Sequence, residues 1–372
     1  MNLKNKQFIT ISEPELNGNE KKYVNQALDN GWISSKGDFI LEFEKQFAEY
    51  CNQSYGIATS NGTTALHLAL LALGIGEEDE VIVPDLTFVA TANVVRYCGA
   101  KPVFIDVHPD YWGMNPEKIE EKVTPRTKAI IPVHLYGHPC DMDPIIALAK
   151  KHNLKIIEDC AEAHGALYKD KKVGSFGDIS CFSFYGNKIL TTGEGGMCVT
   201  GDKEYADKMK IVRDHGMNPK KQYWYDQIGY NYRMTNIQAA IGLAQFEQIE
   251  DFLKRRKQIA SYYTKGMKKL EELGKISLYP NMDWAEPVCW MYSFVIQEKA
   301  SISRDDLRHE LRDYNIDSRP FFHPMHHLPM YKEQCTYPTS ESLSKQGINI
   351  PTSVSLTQGD QDFIIEHINS IL

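Results

Sequence analysis

The sequence predicts an α/β protein built on a mostly parallel central sheet with helices on both faces, followed by a smaller α+β domain. Short runs rich in β-branched residues alternate with helical segments between about residues 81 and 200, a pattern typical of such sheets. Several of these runs are apolar throughout, as expected for strands buried on both faces. We therefore predict a large α/β domain over residues 1–250 and a small domain over residues 251–372.

The individual elements follow from apolar periodicity and from helix-start and helix-stop residues. In the large domain we predict strands at 81–83, 102–107, 129–135, 155–158, 178–184 and 196–200. Helices are expected at 14–30, 65–73, 88–97, 116–122, 144–152, 205–213 and 246–273. In the small domain, a strand at 291–296 precedes a helix that Ser303 begins and a final helix at 357–371.

Composition excludes several classes of protein. The 372 residues carry a formal net charge of -8, which argues against a nucleic-acid surface. No apolar run is long enough to span a bilayer, and residues 1–14 contain no apolar signal-peptide core. The 8 cysteines form no C-x-x-C pair, so neither a disulfide framework nor a zinc site is indicated. We expect a cytoplasmic protein without nucleic-acid or membrane partners.

Lys188 lies in the segment that suggests chemistry most directly. The segment reads SFYGNKILTTGEGG and follows the predicted strand at 178–184. An enclosed lysine beside an aldehyde forms a Schiff base and then moves protons, and glycines let the backbone approach a flat ligand. An ordinary solvated loop lysine is the alternative for this segment alone.

Three further features lie at predicted strand ends or helix starts. Gly62 and Thr63 lie in the segment ATSNGTT that precedes the apolar helix predicted at 65–73, and free amides and the dipole at such a helix start favour a phosphate. Asp159 follows a buried strand, and Phe88 follows another. In parallel sheets, ligands gather at these strand ends. Taken singly, each feature also fits a plain helix cap or core packing.

Together these groups match what pyridoxal 5′-phosphate requires: a phosphate anchor, an aromatic face, a carboxylate for the ring nitrogen and a Schiff-base lysine. The segments SNGTTALHLAL, PDLTFVATANVV, IIEDCAEAHGA, GDISCFSFYGNKILTTGEGG, RDHGM and GYNYRMTNIQAAIGLAQ resemble the DegT/DnrJ/EryC1/StrS family of nucleotide-sugar aminotransferases. The resemblance implies the fold-type I architecture of PLP-dependent transferases.

The resemblance also implies a role for each matching residue. The catalytic residues would be Lys188 and Asp159. Lys188 would carry the cofactor as a Schiff base and move the proton, whereas Asp159 would pair with the ring nitrogen. Family members commonly have Gln at the position of Glu162, which would lie near the O3′ edge. The remaining implied cofactor contacts are Gly62, Thr63 and Ser183 to the phosphate, Phe88 on the ring face, and Asn231 from a second subunit. The functional unit would then be a homodimer with shared sites.

The substrate follows from resemblance as well. GYNYRMTNIQAAIGLAQ, SRPFF and PMHHLPMY resemble enzymes that aminate C4 of GDP-4-keto-6-deoxy-D-mannose with glutamate as donor, giving GDP-perosamine for O-antigen-type surface polysaccharides. A UDP- or dTDP-linked 4-keto-6-deoxy sugar is the alternative. Arg319, Phe321 and His326 are the predicted substrate contacts, since a guanidinium matches phosphate geometry.

Rival functions remain open at this point. Related sugar 3-dehydratases replace the Schiff-base lysine with histidine, which Lys188 argues against, whereas a lyase on the same fold would retain Lys188. A DNA-binding regulator would need a helix-turn-helix and a basic face, and neither is visible. His323, His326 and His327 suggest a metal, but no sequence pattern completes a ligand set, so we predict no metal site.

Overall fold

The computed structural model describes residues 8–372; the first half of the segment examined for a signal peptide, residues 1–7, lies outside this range. The helices are α1 (Glu20–Asp29), α2 (Asp38–Tyr50), α3 (Gly62–Ala72), α4 (Ala90–Tyr97), α5 (Met142–His152), α6 (Lys203–Arg213), α7 (Asn236–Phe246), α8 (Ile249–Glu272), α9 (Arg304–Asp313), α10 (Pro338–Gln346) and α11 (Gln358–Ile371). The strands are β1 (Tyr55–Thr59), β2 (Glu80–Pro84), β3 (Lys101–Ile105), β4 (Thr127–Ile130), β5 (Lys155–Asp159), β6 (Leu167–Tyr168), β7 (Lys171–Lys172), β8 (Ile179–Ser183), β9 (Gly196–Thr200), β10 (Ile276–Ser277), β11 (Ala285–Glu286), β12 (Tyr292–Ile296), β13 (Arg319–Pro320) and β14 (Gly347–Ile350).

The central sheet has seven strands in the order β1-β9-β8-β5-β4-β2-β3. Its pairs from β8 to β3 are parallel, whereas β9 runs antiparallel to both β8 and β1. The predicted mostly parallel sheet is thereby confirmed. The exception has a simple cause, since β8 and β9 are joined directly by the loop that contains Lys188 instead of by a crossover helix.

Both faces of the sheet are covered by apolar packing, as predicted. Successive side chains of a strand point to opposite faces, so Cys181 of β8 packs in the core cluster that contains α3, while Phe182 packs with Phe43 and Phe47 of α2. Phe47 and Phe182 meet edge to face, with ring centroids 4.8 Å apart. The side chains of β2 and β5 are likewise divided between two apolar clusters, so these strands too are buried on both faces.

A second sheet forms in the C-terminal part of the chain. It contains four antiparallel strands in the order β10-β12-β14-β13, and α8, α9 and α11 contribute apolar residues to the core beside it. The α+β character predicted for this region is observed, while the boundary at residue 250 stays a prediction. Between residues 8 and 372, no helix is both long and apolar enough to cross a membrane.

Several element boundaries differ from the predictions. The predicted helix at 14–30 begins only at Glu20, and the one at 88–97 begins at Ala90, so Phe88 lies in a loop. The predicted helix at 246–273 is the single helix α8 and begins at Ile249, because Phe246 is the last residue of the preceding helix α7. Helix α7 packs against α1 and α2, whereas α8 packs against α11. Ser303 caps α9 through Asp306 N, as predicted.

Candidate active site

Lys188 lies in the turn that follows β8, and its amide donates to the Tyr185 carbonyl at 2.9 Å. The side chain is nearly buried, with 11% of its surface exposed. Burial lowers the pKa of Lys188, and the nearby carboxylates of Glu162 and Asp159 oppose that shift. An amine whose charged form is disfavoured is a better nucleophile and proton acceptor than a solvated lysine.

Glu162 is the carboxylate beside Lys188. Its Oε1 lies 3.5 Å from Lys188 Nζ, and its Oε2 accepts a hydrogen bond from the Tyr136 amide at 2.7 Å. Tyr136 has a left-handed backbone, with φ of 53°, which turns this amide toward the site. Burial raises the pKa of Glu162, although Lys188 and the Tyr136 amide counteract it.

Asp159 is the last residue of β5 and is 5% exposed. Its Oδ2 accepts from the Thr91 hydroxyl at 2.8 Å and its Oδ1 from the Ala161 amide at 3.2 Å. Burial raises its pKa, and these two donors and Lys188 limit the rise. Asp159 and Glu162 are thus two buried carboxylates with one buried amine, an arrangement that favours a ligand carrying a further positive charge.

The start of α3 meets the end of β8 at a point where only glycine fits. A Cβ built on Gly62 would lie 2.7 Å from the Ser183 Cβ, far inside van der Waals contact. Asn61 caps the helix by accepting from the Thr64 amide, and its carbonyl accepts from the Ala65 amide. The amides of Gly62 and Thr63 therefore remain as anion donors at the positive end of the helix.

Phe88 lies in the loop after β2, with 54% of its surface exposed, and its ring centroid is 5.7 Å from that of Phe322. An exposed aromatic face beside a strand end fits a planar ring. The phosphate-type helix start, the aromatic face, the buried carboxylates and the buried lysine therefore fit pyridoxal 5′-phosphate. Among these residues, Lys188 interacts with Glu162 and Asp159, and Gly62 packs against Ser183.

Trp290 was missed by sequence reasoning although it touches Lys188. The Lys188 Nζ lies 3.6 Å from the centroid of the Trp290 ring. The indole N–H donates to the Asn187 carbonyl at 2.7 Å, and the same carbonyl accepts from the Ser12 hydroxyl at 3.1 Å. The Asn187 carbonyl, immediately before the lysine, is thus bound by two residues that are far from it in the sequence.

Arg256 of α8 fixes Trp290 from behind. Its Nη1 donates to the Trp290 carbonyl at 2.9 Å, where the Thr352 hydroxyl also donates. Arg256 is 2% exposed, and burial lowers its pKa to about 10. The sequence does carry one signal for Arg256, because it is a charged residue on the buried apolar face of α8. That face contains Phe252, Ile259, Tyr263 and Met267. No local pattern around Trp290 marks its contact with Lys188.

The predicted substrate contacts are dispersed. Arg319 is exposed, with Nη2 3.2 Å from Asp317 Oδ2. Phe321 is 1% exposed and packs against Trp112 and Tyr136. The structure therefore corrects the prediction that Phe321 contacts the substrate, because its ring is buried in the core.

His326 requires the same correction. It is 3% exposed, and its Nδ1 lies 2.8 Å from the Asp85 Oδ2. Its two ring nitrogens face the carboxylates of Asp85 and Glu341, so both already have partners within the protein.

Asn231 is exposed, and its carboxamide oxygen accepts from Arg233 at 2.9 Å. The Asp214 carboxylate, in turn, lies 2.8 Å from the Arg233 guanidinium. Asn231 is therefore presented at the surface.

The chain matches the model of the DegT/DnrJ/EryC1/StrS aminotransferase family over residues 14–369. It belongs to this family. It is 50% identical over 367 residues to a GDP-perosamine synthase of Caulobacter vibrioides, covering 98% of each chain. It is 51% identical to a GDP-perosamine synthase of Escherichia coli O157:H7, covering 97% of this chain and 98% of the other.

The fold is shared with a solved sugar aminotransferase. A protein of Streptococcus pneumoniae, described as the PLP form of a sugar aminotransferase, superimposes with a TM-score of 0.90. The two chains are 28% identical, and the match covers 98% of each. The predicted aminotransferase fold and family are therefore confirmed.

Proposed function

We propose that this protein is a PLP-dependent aminotransferase that transfers an amino group from glutamate to C4 of GDP-4-keto-6-deoxy-D-mannose and so forms GDP-perosamine. The observation that carries the proposal is the buried Lys188 amine, 3.5 Å from Glu162 and near the buried Asp159. Identity of 50% and 51% to the two GDP-perosamine synthases supports the choice of substrate. The product would serve O-antigen-type polysaccharide synthesis in the cytoplasm.

Each residue of the site has a task in this proposal. The amides of Gly62 and Thr63 and the Ser183 hydroxyl hold the phosphate, and Phe88 covers one face of the ring. When bound, pyridoxal phosphate supplies an electron-accepting ring and an aldehyde that reacts with amines. Asp159 keeps a proton on the ring nitrogen by offering it a buried negative charge.

Lys188 would hold the cofactor and, as a neutral amine, would move a proton at the substrate carbon. Its lowered pKa makes the neutral amine available for this step. Glu162 receives hydrogen bonds from the Tyr136 amide and orients the lysine from one side, while Trp290 supports it from the other.

The nucleotide requires positive charge and aromatic surface outside the buried site. The exposed Arg319 guanidinium supplies charge for the diphosphate, since its fork matches phosphate oxygens. The loop 220–225 supplies both properties, because Lys221 lies 3.5 Å over the ring of Trp224 and Tyr223 is 75% exposed. We assign sugar-nucleotide contact to these residues in place of Phe321 and His326.

We further propose a homodimer with shared sites. The exposed Asn231 would reach the phosphate of the partner's site. The exposed apolar residues Tyr225 and Ile228 lie on the same connection between α6 and α7, and burying them between subunits would favour association.

The test is an amination assay over a panel of nucleotide-linked keto-sugars. The purified enzyme is incubated with pyridoxal phosphate and glutamate together with GDP-, UDP- or dTDP-linked 4-keto-6-deoxy sugar, and the products are weighed. We expect the mass of GDP-perosamine from the GDP sugar only, and none from the Lys188→Ala variant. Amination of the UDP or dTDP sugar alone would overturn the substrate assignment, and normal turnover by Lys188→Ala would overturn the proposed lysine.

A further inference from the structure

Three potential metal ligands come together on the C-terminal side of β2, away from Lys188. They are His326 and His327, in the short 3-10 turn Met325–His327, and Glu341 of α10. One donor atom from each lies within 4.8 Å of the other two. Sequence reasoning missed this set because Glu341 is distant from the histidines along the chain and only the fold brings it close.

The orientation of His326 is fixed from below by a fully buried carboxylate. Asp85, directly after β2, accepts from the His326 amide at 2.9 Å and lies 2.8 Å from His326 Nδ1. When Nδ1 donates a hydrogen bond to Asp85, Nε2, which faces Glu341, is the nitrogen free to bind a metal. A histidine whose second nitrogen donates to a carboxylate is the usual arrangement of a metal-binding histidine.

The spacing of the ligand atoms suits zinc. Two ligands that are both about 2.0–2.1 Å from a zinc ion with tetrahedral geometry are roughly 3.3 Å from each other. His326 Nε2 lies 3.2 Å from Glu341 Oε1. The third ligand, His327, is exposed, and its ring centroid is 4.2 Å from that of His326. One of its ring nitrogens lies within 4.8 Å of the donor atoms of His326 and Glu341.

We propose that His326, His327 and Glu341 bind a zinc ion, with water as the fourth ligand and Asp85 orienting His326. The ion would join α10 to the turn at 325–327 and, through Asp85, to the end of β2 that leads into Phe88. Its task would be structural, since none of its ligands touches Lys188. The proposal does not depend on the aminotransfer reaction.

The test is zinc binding by the untagged full-length protein. After equilibration with zinc chloride and dialysis, we expect about one zinc per chain by elemental analysis. Cobalt substitution should give the visible absorption of a tetrahedral site. His327→Ala and Glu341→Gln should each abolish stoichiometric binding. Asp85→Asn should weaken it about 10–100-fold, as expected for the loss of an orienting partner.

His323→Ala is the matched control, because His323 is exposed in the same segment but is not in the ligand set. It should bind zinc like the wild type. Substoichiometric zinc in the wild-type protein would show that His326 and Glu341 form only an ion pair. Equal binding by Glu341→Gln or His327→Ala would show adventitious surface binding. Either result would overturn the proposal, whatever the outcome of the amination assay.

Discussion

Lys188 owes its reactivity to opposing effects at single residues. Burial disfavours its ammonium form, whereas Glu162 and Asp159 favour it. The Trp290 ring adds a further attraction for the cation, of the kind worth roughly 0.5–2 kcal/mol. The Glu162 carboxylate gives the lysine one more negative neighbour than an amide at the same position would.

We predict that Glu162→Gln lowers the pKa of Lys188 further. Removing an anion 3.5 Å from Nζ removes stabilisation of the ammonium form, so the neutral amine becomes available at lower pH. The measurement is the pH dependence of Schiff-base absorbance when pyridoxal phosphate is added to cofactor-free protein. The midpoint should move to lower pH in the variant and stay unchanged in Glu121→Gln, at an exposed position. A midpoint that rises would assign the opposite electrostatic role to Glu162.

At the scale of elements, strand β5 carries two adjacent carboxylates, one at the active site and one in a buried hydrogen-bond network. Asp159 faces the active site, whereas Glu158 points to the other face and is fully buried. Glu158 lies 3.2 Å from His134 Nε2 and accepts from the Ser180 hydroxyl. The amides of Gly174, Phe176 and Gly177 also donate to it. This one carboxylate ties the connection between β7 and β8 to the strand that carries Asp159.

We predict that Glu158→Gln destabilises the protein by about 3 kcal/mol at neutral pH, the scale of breaking a buried charge network. Burial raises the pKa of Glu158, but its hydrogen bonds outweigh burial and leave the pKa lowered. The stabilisation is therefore complete above the unfolded value near 4.3 and is lost as the pH falls below it.

Urea denaturation at several pH values measures this effect, with Glu121→Gln as the exposed control. The difference between wild type and Glu158→Gln should shrink below about pH 4.3. If the difference in unfolding free energy did not change with pH, the destabilisation would come from altered packing of the side chain and not from the lost charge.

The elements were largely predictable from sequence, and the cofactor-type residues were predictable with them. The strand predicted at 155–158 is β5, at 155–159, and the strand predicted at 178–184 is β8, at 179–183. Parallel strands end at one edge, so Asp159 and Lys188 were expected to meet. The sequence did not predict the roles of Trp290, Arg256 and Glu341. Their contacts arise from packing between residues far apart in the chain, which hydrophobic periodicity and motif spacing do not reveal.

At the scale of the whole molecule, the proposed shared site predicts complementation between two inactive chains. Lys188→Ala and Asn231→Ala chains are unfolded, mixed and refolded together. A mixed dimer has one site with both native residues if Asn231 acts across the interface. Random pairing then restores about a quarter of the wild-type activity.

The control is the double variant Lys188→Ala/Asn231→Ala refolded with wild-type chains. Its mixed dimers pair an intact lysine with a missing asparagine, so they should add no activity. Absence of any recovery in the first mixture, with dimers present by light scattering, would place Asn231 on the site of its own chain.

The support that Trp290 gives to the lysine loop has a consequence for biosynthesis. Asn187 and Trp290 are 103 residues apart, so at roughly 5–20 residues per second the ribosome adds the tryptophan roughly 5–20 seconds after the loop. During this interval the loop that contains Lys188 lacks the hydrogen bond from the Trp290 indole and the contact of Nζ with its ring. The surroundings of the lysine are therefore completed only late in translation.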